Sequence, residues 1–176
     1  MVKTRAVVIV EGDSDRVALE TLAKRRGRDL AAEGVEIVSI GGAHAIRRYL
    51  ERLKAEGSDV TLAGLVDAGQ EDVFRRAVDH TGFEIDLYVC DSDLEDELIR
   101  AVGLESVEKV IEYQGELRSL RSLQKQPAQR GRTTLQHVRR FISSHSGHKA
   151  LYARLLVEAL DLNHVPRPLD RVLSNV

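Results

Sequence analysis

Residues 5–15 read RAVVIVEGDSD. Residues 5–10 (RAVVIV) are a continuous run, apolar after Arg5 and rich in β-branched side chains, as expected of a strand buried on both faces. Glu11-Gly12 breaks the run. Asp13-Ser14-Asp15 then opens a helical period, with Val17, Leu19, Leu22 and Ala23 on one face. Asp13 and Ser14 are both favoured N-cap types. A buried strand that ends in an acid and passes at once into an amphipathic helix is the opening unit of a parallel α/β sheet.

The pattern repeats outward from this stretch. Gly34 closes the first helix region, residues 35–40 read as a second strand, and Gly41-Gly42 turns the chain into a helix over 43–55 with Ile46, Tyr49, Leu50 and Leu53 on one face. Residues 60–66 (VTLAGLV) predict a third strand that runs into Asp67-Ala68-Gly69, and residues 70–79 a helix. Residues 85–90 predict a fourth strand ending at Asp91-Ser92-Asp93. Strands separated by helices require right-handed crossovers and a mainly parallel, four-stranded, Rossmann-like sheet flanked by helices. After residue 94 the strand signal stops. Residues 94–102, 107–122, 134–143 and 149–160 read as helices, broken by a polar loop at 124–132 and by His145-Ser146-Gly147-His148. The expected division is an α/β core over 1–102 and a helical C-terminal extension over 103–176 packed on the same domain.

In such a sheet, ligands bind beyond the carboxyl ends of the strands. Three of the four strands end in acid: Glu11, with Asp13 and Asp15 behind it; Asp67; and Asp91-Ser92-Asp93, with Glu95 and Asp96 behind. Parallel strands bring these ends to one edge, where clustered carboxylates repel each other and a hard divalent cation such as Mg²⁺ relieves the repulsion. Acids after strands also serve as helix caps, which accounts equally well for Asp13, Asp15 and Asp96. Glu11 and Asp67 follow wholly apolar strands, and Glu is not a favoured N-cap.

Composition narrows the classes. In 176 residues, 43% hydrophobic and 31% charged, there is a single cysteine, Cys90, so neither a disulfide framework nor a multi-cysteine zinc site exists. No apolar run is long enough to span a membrane, and the short apolar run near the start leads into a charged turn, so a cytoplasmic location is the expectation. Cys90 ends an apolar strand and reads as an inert core residue. The net charge is −2, yet residues 67–116 hold 15 acids and 4 bases, whereas 117–154 hold 9 bases and no acid. A phosphate-binding surface and a solvated face look alike in such a segment. His145 and His148 have no acid nearby in sequence and read as part of a flexible loop.

Glu11-Gly12 after the first strand, Asp67 after the third and a further acidic strand end together resemble the Toprim domain, and most closely that of the overcoming-lysogenisation-defect (OLD) nucleases. The segment EGDSD resembles that group's Glu-Gly-x-x-Glu motif, with Asp15 in the last position. Asp93-Leu94-Glu95-Asp96-Glu97 resembles its acidic segment after the fourth strand, and Lys149 its lysine opening a late helix. The chain is also similar, over nearly its full length, to stand-alone actinobacterial Toprim proteins labelled ATP-dependent endonucleases.

The resemblance implies Mg²⁺- or Mn²⁺-dependent hydrolysis of DNA phosphodiesters, with one or two ions. Glu11, Asp67 and Lys149 would be catalytic. Glu11, Asp15, Asp67, Asp93 and Glu95 would hold metal. Arg118, Arg121, Lys125, Arg130, Arg132, Arg139 and Arg140 would bind the nucleic-acid backbone. Two alternatives stay open: a catalytically weakened binding module working with a separate ATPase, and an RNA-processing Toprim ribonuclease. Toprim domains carry Asp-x-Asp after the third strand, whereas this chain has Asp67-Ala68-Gly69 and so lacks one carboxylate. No GxxxxGK[ST] phosphate loop is present, so any ATPase would be a separate partner. A homodimer is compatible with the sequence.

Overall fold

Alternate residues of the central strand face two different layers. β1 (Ala6–Val10) is buried throughout; Ala6, Val8 and Val10 pack into one apolar cluster, and Val7 and Ile9 into the other. That two-sided burial explains the unbroken apolar run. The computed structural model describes residues 3–176, so residues 1 and 2 of the expected core lie outside it. β2 (Val35–Ser39), β3 (Thr61–Asp67) and β4 (Ile85–Cys90) complete a sheet in the order β2-β1-β3-β4. All three pairings are parallel, with Val10 aligned to Ser39 on one side and to Leu65 on the other. The chain leaves β1 toward β2 and returns on the opposite side at β3. The order therefore reverses between β1 and β3, which is where an open α/β sheet presents its crevice.

α1 (Asp13–Arg25) covers one face. α2 (Ile46–Ala55) and α3 (Glu71–Thr81) cover the other. After β4 come α4 (Leu94–Val102), α5 (Leu104–Tyr113), α6 (Leu117–Gln124), α7 (Thr134–Ile142), α8 (His148–Ala159) and α9 (Arg167–Ser174). These helices join the α1 layer in one apolar cluster that runs from Ala6 to Leu173. Arg25 at the end of α1 ties the layers together: its Nη1 donates to the carbonyls of Val157 (2.7 Å) and Leu160 (2.8 Å) at the C-terminal end of α8.

Two local expectations change. Gly12, not Asp13 or Ser14, is the N-cap of α1, and Asp15 reaches back to accept the Gly12 N–H at 2.9 Å. The helix expected over 107–122 is two helices, because the chain turns at Gly115 with φ +74°. Such a left-handed position favours glycine and ends a helix. The tail after Pro166 is helical, with Pro168 in the first turn of α9.

Candidate metal and nucleic-acid site

The switch point opens into a cleft of about 660 Å³ at the carboxyl edge of the sheet. Glu11 enters it from the end of β1, Asp15 from the first turn of α1, Asp67 from the end of β3, Glu95 from the first turn of α4, and Lys149 from the start of α8. Four carboxylates and one ammonium thus meet from five elements, and a fifth acid, the exposed Asp13, lines the cleft while paired with Arg16 at 3.3 Å. Ser39, Gly41, Gly42, Ser146 and Gly147 complete much of the wall. Sequence reasoning overlooked Ser39, although the rule that found the acids applies equally to this last residue of β2.

Each carboxylate is held differently. Glu11 Oε1 accepts the Asp67 N–H at 3.1 Å, which locks the ends of β1 and β3 together. Burial raises the Glu11 pKa despite that hydrogen bond and the nearby Lys149 charge. Asp67 is pushed up to about 7 by burial and by the charges of Asp15 and Glu11. Asp15, 9% exposed, is also pushed up to about 7; burial outweighs its Gly12 bond, and Glu95 and Glu11 add repulsion. Glu95 is 7% exposed. Its Oε1 makes no hydrogen bond, and its ionic neighbour is the Lys149 Nζ at 3.4 Å.

The acidic segment after β4 divides. Asp91 faces solvent beside Arg100, at 3.6 Å. Asp96 pairs with Arg100 at 2.7 Å. Asp93 caps α4 by accepting the Asp96 N–H at 2.9 Å and forms an ion pair with Arg139. It does not line the cleft. Ser92, the one non-glycine at positive φ among the described residues (φ 88°), turns the chain between β4 and α4.

The predicted basic segment divides as well. Arg139 is engaged by Asp93, and Arg121 by Glu108 at 2.6 Å. Arg118, Lys125, Arg130, Arg132 and Arg140 have no ion pair among the described residues and lie outside the cleft wall. His148, expected to lack an acidic neighbour, has one from far away in sequence: Glu116 Oε1 stands 3.4 Å from its Nε2, and Tyr152 donates to Glu116 Oε2 at 2.5 Å.

Among the described residues no three His, Cys, Asp or Glu side chains are gathered so as to hold a metal ion. The chemistry of the donors nevertheless suits a hard cation. All are carboxylate oxygens, two are pushed up to about 7 by burial and then by mutual repulsion, and one buried oxygen of Glu95 makes no hydrogen bond. Mg²⁺ and Mn²⁺ sites of this kind use few protein ligands and keep their waters.

A four-stranded parallel sheet with Glu-Gly after its first strand and Asp after its third, both at the switch point, defines a Toprim-like α/β domain. Residues 4–68 match the family model described as overcoming lysogenization defect protein-like, TOPRIM domain. Two solved structures share the whole fold. The C-terminal region of the Xanthomonas campestris pv. campestris OLD protein is 22% identical, with TM-score 0.69, covering 99% of this chain and 94% of that one. The C-terminal region of the Burkholderia pseudomallei OLD protein is 18% identical, with TM-score 0.70, covering 99% and 97%. No curated protein matches the sequence. Among the described residues no helix is long and apolar enough to cross a membrane.

Proposed function

We propose that the cleft is the active centre of a divalent-metal-dependent nuclease that hydrolyses phosphodiester bonds in DNA. The observation that carries this reading is the convergence of Glu11, Asp15, Asp67 and Glu95 on one cleft with a single lysine among them. Glu11, Asp67 and Glu95 would hold Mg²⁺ or Mn²⁺, with Asp15 beside them. Asp93, engaged as a helix cap and by Arg139, stands outside that ligand set. When bound, the ion lowers the pKa of a coordinated water and withdraws charge from the phosphate. Glu11 commits one oxygen to the Asp67 N–H, which leaves Oε2 for the ion or, in the alternative role of general base, for the proton of the attacking water. Lys149 places its ammonium where charge develops on the scissile phosphate.

The test is nicking of supercoiled plasmid in Mg²⁺ and in Mn²⁺, with Glu11→Ala, Asp67→Ala and Lys149→Ala beside the wild type. The carboxylate variants are expected to abolish metal-dependent nicking and the lysine variant to slow it about 100-fold, within the range for removing one preorganised electrostatic contact. Nicking that survives in all three variants excludes this cleft.

One observation favours a weakened centre as the second reading. Gly69 stands where Toprim domains carry an aspartate, and Glu71 nearby is turned to Arg75 at 2.5 Å rather than into the cleft. A Cβ built on Gly69 meets nothing within 4 Å, so Gly69→Asp is sterically admissible. A large gain of nicking in that variant identifies a native centre short of one ligand. Unchanged nicking shows that the present carboxylates suffice.

A further inference from the structure

We infer that the groove between the end of β2 and α2 is a binding track for the strand of nucleic acid that leaves the catalytic cleft. This inference rests on the nuclease reading of the cleft and adds a surface to it. The groove encloses about 280 Å³ and is lined by Ser39, Ile40, Arg48, Tyr49 and Arg52 among others. Ser39 also lines the cleft, so the two cavities adjoin at the last residue of β2.

The charge of the two cavities is opposite. The cleft is lined by five carboxylates against Lys149, and they repel every phosphate except one held by a cation. A polyanion therefore needs positive charge immediately beside it, and the groove supplies that charge. Arg48 and Arg52 lie one turn apart on one face of α2, a like-charge spacing that is mildly unfavourable without an anion. Arg48 has no acidic partner among the described residues. Arg52 has only Glu56, 3.7 Å away and exposed like itself, a pair of little strength that a phosphate readily displaces. Arg47, on the other side of the helix, is by contrast tied to Glu51 at 2.8 Å. The acids whose charges reach the Tyr49 hydroxyl, Glu36 and Glu56, stand outside the groove wall.

Tyr49 adds a second kind of contact. Its half-buried ring lies under the Arg52 guanidinium, 5.1 Å from centroid to carbon. An aromatic face with an arginine over it is a platform for an unpaired base, while the two guanidinium groups take the flanking phosphates. The ligand that matches is a single strand with both charge and bases, rather than a free phosphate.

The inference is tested with the Arg48→Ala/Arg52→Ala double variant. Both side chains are exposed and lie outside the cleft wall, so the fold and the carboxylates are left intact. Two readouts separate the outcomes: affinity for a fluorescein-labelled single-stranded oligonucleotide in Ca²⁺ across a salt series, and Mn²⁺-dependent hydrolysis of bis-p-nitrophenyl phosphate, which needs no track. The expected result is about tenfold weaker binding at low salt. The slope of log K against log salt should fall by roughly 1.4, at ~0.7 per lost phosphate contact, with diester hydrolysis unchanged. Wild-type affinity and slope in a variant that still hydrolyses the diester overturn the track and leave the nuclease reading standing. A wild-type protein that neither binds the oligonucleotide nor hydrolyses the diester overturns both.

Discussion

Asp15 shows at single-residue scale what the cleft costs the protein. It is 9% exposed, carries one N–H bond and faces Glu95 and Glu11. Its pKa in the folded state, about 7, lies above the ordinary carboxylate value near ~4. Between those values the native chain binds a proton that the unfolded chain releases, so stability falls as pH rises through that window. Asp15→Asn keeps an oxygen for the Gly12 N–H and removes the charge. The variant is expected to match the wild type at pH 4 and to exceed it by about 2 kcal/mol at pH 8. Urea unfolding at the two pH values measures this. A variant that tracks the wild type at both would show that Asp15 is not strained by its neighbours.

At the scale of elements, α8 links the hydrophobic layer to the chemistry. Its first turn delivers Lys149 to the cleft and its body buries Tyr152, Ala153, Leu156 and Val157. The Tyr152 hydroxyl donates to Glu116, which also faces His148, so the turn between α5 and α6 is fastened to the start of α8. Tyr152→Phe leaves Glu116 without that donor and is expected to destabilise by about 1 kcal/mol, read as a lower urea midpoint with unchanged slope. No loss of stability would mean that solvent satisfies Glu116 equally well. This fastening was not legible in the sequence, because Glu116 and Tyr152 are 36 residues apart. The break at Gly115 was legible in principle, but the apolar period runs through it from Val107 to Leu120. Helical periodicity records which face is buried and is indifferent to one left-handed residue. The N-cap of α1 was misread for a related reason. Asp15 works backwards from the third helical position, so a glycine with no side chain can hold the cap position.

At the scale of the whole molecule, strand order decides which acids can act together. The four strands and their parallel pairing were readable from the two-sided apolar runs, and the acids ending the first and third strands meet because β1 and β3 are neighbours at the switch point. Among the acids after β4 the resemblance picked out Asp93 and Glu95, and only Glu95 lines the cleft. Asp91, Asp93, Glu95, Asp96 and Glu97 look alike in sequence, and the choice of Glu95 follows from the Ser92 turn, the Asp93 cap and arginines supplied by α4 and α7. The resulting cleft concentrates negative charge from β1, α1, β3 and α4, so an ion bound there must stabilise the whole fold rather than one loop. A cation that binds only the native state contributes RT ln(1 + [L]/Kd), about 2.7 kcal/mol at a concentration 100 times Kd. For a chain of this size that corresponds to a rise in Tm of roughly 5–10 °C. Mn²⁺ is therefore expected to raise the Tm at pH 8, EDTA to reverse the rise, and Glu95→Gln to reduce it, because the buried Oε1 then carries no charge to offer the ion. The effect should shrink near pH 5, where Asp15 and Asp67 hold protons in the ion-free protein. An equal rise in wild type and Glu95→Gln would place the ion elsewhere on the surface, and no rise in either would leave the carboxylates without the counter-ion that their arrangement calls for.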